Sequence, residues 1–141
     1  MEEPVTLDRR PLVDTCAVAR HPERFQGQRV RLRAIVLQDI ESVPLTSQHC
    51  MWRTWGGKVW IDDNSSGEDF SAVDAAAMEA SRRSTATRWF AAEAEFEGIV
   101  RAHRSVVPRN AALPVPEFVA MFELEKVDHV RLVEIPVVAR P

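Results

Sequence analysis

Few residues in this chain have the types and spacing that chemistry needs. His49-Cys50 is an adjacent pair of zinc-ligand types. Structural zinc takes four ligands in paired spacing, and Cys16, His21, His103 and His129 supply no such pairing, so no metal is expected. Nucleophilic catalysis needs a nucleophile, a base and an orienting group. There is no Gly-x-Ser-x-Gly elbow, and neither cysteine lies in a catalytic signature. Asp62-Asp63 resembles a cation site, but adjacent carboxylates leaving a strand point to opposite faces and read as solvated strand-end acids. The five glycines form no phosphate cradle. These observations point away from an enzyme and imply no cofactor.

Binding residues are easier to find. Arg101, His103, Arg104 and Arg109 form a local basic set. Trp52 and Trp55 would give stacking platforms worth ~1–3 kcal/mol per base if exposed. Trp60 reads instead as a packing residue, while the sequence leaves Trp52 and Trp55 evenly balanced between the two roles. Asp39, Glu41, Asp62, Asp63, Glu68 and Asp69 are expected near the same rim and would repel a phosphate backbone. The whole chain agrees with that acidity: 141 residues carry 18 Lys+Arg against 21 Asp+Glu, a net charge of −3. A protein that neutralises phosphates wholesale is thereby excluded.

The elements that must position these residues follow from periodicity. Pro11 to about Arg20 reads as a helix with Leu12, Cys16 and Ala19 on one face, ended by His21-Pro22. Residues 28–39 form the clearest strand. Val30, Leu32, Ala34 and Val36 point one way and Arg29, Arg31 and Arg33 the other. From Ile35 to Leu37 the run turns wholly apolar, which suits cover on both faces. Pro44 argues against a central strand around it. Gly56-Gly57 reads as a hairpin turn into a short strand at 58–62. Ser71 to Arg83 reads as a second helix, with Ser71 and Asp74 in capping-box spacing. Residues 91–104 alternate again, Ala92, Ala94 and Phe96 against Glu93, Glu95 and Glu97, with a bulge or bend expected at Gly98. A proline-bearing loop spans 105–116. The last strand runs from Phe118 to about Val133, broken near Asp128.

Five strands with a helix between the third and fourth is the element order of an OB-fold barrel. The entry, a helix followed by His21-Pro22-Glu23-Arg24-Phe25-Gln26-Gly27-Gln28-Arg29-Val30-Arg31-Leu32-Arg33-Ala34, resembles that of many bacterial OB-fold proteins, mostly uncharacterised and some exported. The resemblance covers about residues 12–62. Ala34 stands where such strands often carry glycine. It implies a mainly β chain with α, a five-stranded OB-fold-like barrel with an N-terminal helix and a helix between strands 3 and 4. It also implies a small binding barrel without a catalytic centre. The expectation is one domain over 1–141 with tails at 1–10 and 136–141.

In such a barrel the first and fourth strands are antiparallel neighbours, so the arginine and glutamate stripes are expected to pair and neutralise each other. The favoured function is a non-catalytic module for a protein partner or small polar ligand, with Ala111-Ala112-Leu113-Pro114-Val115-Pro116 as a contact surface. A single-stranded nucleic-acid module using Trp52, Trp55, Arg101, Arg104 and Arg109 is the second reading. Two buried free thiols are favoured over a Cys16–Cys50 disulfide, which would suit an exported protein. With no apolar run near the ~20 residues of a membrane span and no signal-peptide pattern, no membrane insertion is expected and the chain reads as cytoplasmic, or periplasmic if a signal has been removed.

Overall fold

A computed structural model describes residues 11–37, 44–51, 57–62, 70–105 and 117–136. Six strands share one sheet with two helices: β1 (Leu12–Val13), α1 (Thr15–Arg20), β2 (Arg29–Val36), β3 (Pro44–Thr46), β4 (Val59–Ile61), α2 (Ser71–Arg83), β5 (Trp89–Arg104) and β6 (Phe118–Ile135). The sheet order is β1-β2-β3-β4-β6-β5, and β5 also pairs with β2. The path β2-β3-β4-β6-β5 therefore returns to its start. All pairings along it are antiparallel except β4 with β6.

The sixth strand corrects the expected count of five. Leu12 and Val13 do not begin a helix; they pair in parallel with Arg31 and Leu32 of β2. The helix starts later because the Asp14 side chain accepts the Cys16 N–H at 3.1 Å and caps it. Leu12 consequently leaves the expected apolar face and is 40% exposed, while Cys16, Val18 and Ala19 are buried. His21 ends the helix, and Pro22–Phe25 forms a 3-10 turn. Gly27 then turns the chain into β2 at φ +77°, a left-handed conformation that favours glycine.

Alternation in β2 and β5 assembles the main core. Val30, Leu32, Ala34 and Val36 meet Ala94, Phe96, Val100, Ala120, Phe122 and Leu124, with Val18 and Ala19 from α1 and Val73 from α2. A second cluster of Ile35, Met51, Ala91 and Ile135 lies apart from it, so the end of β2 is covered on both faces as expected. Pro44 does occupy a strand position between two neighbours. It is the first residue of β3, where a missing N–H is tolerated. The capping box does not form: the N-cap of α2 is Phe70, without a side-chain cap bond. At its other end Ser84 donates to the Ala80 carbonyl at 2.8 Å and accepts the Phe90 N–H at 3.0 Å, which joins α2 to β5. β6 is continuous, with its irregularities taken up as register shifts at Glu93/Glu95 and Glu97/Gly98. His129, at φ 55°, lies in the first of these, one residue from the break expected at Asp128.

Candidate functional site

The two charge stripes do meet, because β2 and β5 pair antiparallel with Arg33 opposite Glu95 and Arg31 opposite Glu97. Their partners differ from a simple rung-by-rung match. Glu95 takes both Arg31 and Arg33, the latter at 2.9 Å, and His129 lies 3.3 Å away. Arg29 turns to Glu125 of β6 through two bonds of 2.6 and 2.8 Å, and Glu93 is claimed by Arg131 at 2.7 Å. The register explains this: Arg29 faces Ile99 and Glu93 faces Ile35, so each must find its counterion on the strand beyond.

Glu95 is the hub and is only 9% exposed. Burial, its largest single influence, raises its carboxyl pKa. Hydrogen bonds from Arg33 and Arg31, with the charges of Arg31 and His129, outweigh burial and hold it below the usual carboxylate range. A depressed folded value means the stabilisation is present above the unfolded pKa and is lost as pH falls through the folded one. Glu95→Gln should therefore cost about 1.5 kcal/mol at neutral pH, with the gap to the parent protein narrowing as pH falls below the usual carboxylate range. Urea unfolding at neutral and at acid pH checks it. An equal loss throughout would remove the charge from the explanation.

The expected basic set is divided. Arg101 and His103 share one face of β5, and Arg104 takes the other. Arg101 is held by Glu123 at 3.0 and 3.4 Å, and Arg104 by Glu117 at 3.4 Å with its guanidinium 5.5 Å from the Phe118 ring centre. His103 is exposed. The arginines are thus already neutralised, which the alternation of Glu123 and Glu125 in the last strand could have signalled. Trp52, Trp55, Arg109 and the apolar segment 111–116 lie outside the described residues, as do Asp39, Glu41, Asp63, Glu68 and Asp69. Trp60 is half-buried on β4.

Cys16 and Cys50 are joined in a disulfide, with Cα atoms 5.8 Å apart, which corrects the expectation of free thiols. The capped start of α1 brings Cys16 against the turn after β3. Cys50 cannot then serve as a thiolate ligand. Among the described residues no group of three His, Cys, Asp or Glu is placed to hold a metal, and no helix is long and apolar enough to cross a membrane.

That turn lines a hollow. Residues 46–49 rise beside the outer face of β2 and border an open hollow of about 280 Å³ lined by Arg33, Ile35, Thr46, Ser47, Gln48, His49 and Glu93. Four ties hold the wall. Thr46 donates to the Gly57 carbonyl at 2.6 Å, Cys50 is bonded to Cys16, Met51 packs with Ile35, and the Lys58 ammonium donates to the Met51 carbonyl at 3.3 Å. Burial lowers the Lys58 pKa. A second hollow of about 260 Å³, between the end of α2 and the start of β5, is lined mainly by apolar groups including Leu37, Ala77, Trp89 and Phe90.

No family model, curated protein or solved structure matches this chain. What the hollow can do rests on its own chemistry. It has a guanidinium, a carboxylate, an imidazole, two hydroxyls and an amide around an isoleucine, and it offers both donors and acceptors. No nucleophile in it is paired with a base.

Proposed function

We propose that the protein is a non-catalytic OB-type binding module for a small polar ligand, held in the hollow between β2 and the 46–49 turn. The OB reading is supported by the pairing order, in which five strands return on themselves with α2 between the third and fourth of them. The observation that carries the ligand reading is the hollow. At about 280 Å³ it lies just below the range of drug-sized sites, roughly 300–1,000 Å³, which suits a very small ligand. The buried Cys16–Cys50 bond favours an oxidising compartment, and so an exported protein over a cytoplasmic one.

Nucleic acid is the weaker reading because Arg101 and Arg104 each already face a glutamate. Those solvent-accessible pairs, worth about 0–1 kcal/mol each, compete with phosphate contact. Both readings can be tested on the ¹⁵N-labelled, disulfide-intact protein. A panel of small polar compounds is expected to shift the amide signals of Ser47, Gln48, His49 and Glu93 saturably. Single-stranded oligonucleotides at low salt are expected to leave Arg101–Arg104 unmoved. Oligonucleotide binding that weakens steeply with salt, with no compound moving the hollow, would reverse the order of the two readings.

A further inference from the structure

We infer that the ligand of this hollow is a small zwitterion, specifically a free α-amino acid, with its carboxylate on Arg33 and its ammonium on Glu93. The inference rests on the small-ligand reading above and adds the class of ligand. Its ground is the unused hydrogen-bonding capacity of those two side chains. The Arg33 guanidinium carries five N–H donors. It is half-exposed and gives only Nη2 to Glu95. Glu93 is only 15% exposed, yet both of its contacts with Arg131 fall on Oε1. No described residue donates to Oε2. Glu93 also lines the open hollow, so a donor brought by a ligand can meet the oxygen that Arg131 leaves unused.

Spacing selects the ligand. Glu93 pairs with Ile35, so Arg33 and Glu93 are diagonal neighbours on one face of the β2–β5 pair. Diagonal neighbours lie roughly 7–8 Å apart. Both long side chains can therefore reach one small molecule, and a ligand whose ammonium and carboxylate sit on one carbon offers each of them a charge-assisted bond of ~2.8 Å. A simple anion would satisfy Arg33 and leave Oε2 facing like charge, and a simple cation would do the reverse. Ile35, which is 2% exposed, supplies an apolar floor, and Ser47, Gln48 and His49 on the opposite wall are left to meet the amino acid's side chain.

The test uses each amino acid in three forms: free, as its amide (cation only) and N-acetylated (anion only). The amides of Ser47, Gln48, His49 and Glu93 report binding. At least one free amino acid should bind at least tenfold more tightly than either blocked form. Arg33→Gln should erase the preference over the amide, and Glu93→Gln the preference over the N-acetyl form. A structural loss alone would not produce that exchange of specificities. An N-acetyl form binding as well as the free acid would make this an anion site and overturn the inference. If no amino acid binds but another polar compound moves the same signals, the inference fails and the small-ligand reading stands. If nothing moves them, both fail.

Discussion

Replacing Cys16 and Cys50 together by alanine is expected to lower stability by about 4 kcal/mol. The bond closes a loop with a sequence separation of 34 residues, and the chain entropy it removes from the unfolded state corresponds to about 4 kcal/mol for a loop of that length. Both cysteines are buried, at 7% and 2% exposure, so the substitution also leaves small voids. Urea unfolding of the oxidised protein, the reduced protein and the alanine pair measures the effect. The last two should agree within about 1 kcal/mol, and equality of all three would show that the cross-link contributes nothing. The effect should also be local. Cys50 directly follows the turn that lines the hollow, so reduction should raise hydrogen exchange at Ser47–Met51 well before it does so in β5. Protein taken from its native compartment should show no free thiols.

How far this architecture was legible depended on whether a signal was local. The alternation of Val30, Leu32, Ala34 and Val36 identified both the strand and its buried face, and Gly98 was read correctly as an irregularity. Leu12 misled because i, i+4 spacing with Cys16 fits a helix equally well. Only the bond to the Asp14 carboxylate and the parallel pairing to β2 decided against it. The stripes were legible as opposites, but their partners depended on β6, whose register against β5 is shifted twice. Arg33 and Glu93 were visible only as stripe members. Their common hollow forms because a turn with no strand or helix pattern is fastened back by Cys50, Thr46 and Met51, and those are contacts that no spacing in the sequence announces.

The other large effect is expected at Gly98. A Cβ built there would lie 2.2 Å from the Glu123 carbonyl oxygen and 2.9 Å from the Phe122 ring. Neither obstacle can give way cheaply. The carbonyl is backbone in the facing strand, and Phe122 is fully buried in the main core. Gly98 lies at one of the shifts in the β5–β6 register, where Glu125 is left over between the partners of Glu97 and Gly98. The strands must therefore part if Gly98→Ala is to fold, at a cost of about 3 kcal/mol. The opposing gain from a stiffer unfolded chain is below about 1 kcal/mol. Gly27→Ala is the matched control. It has nothing within 4 Å and only a φ of +77° to strain, which costs about 1–2 kcal/mol. The loss at Gly98 should exceed that at Gly27, and the reverse order would show that backbone approach does not govern this position. Because Arg29–Glu125 and Arg101–Glu123 lie on either side of the contact, parting the strands should also loosen both pairs. Part of the deficit should then vanish in high salt, whereas a purely steric cost would not.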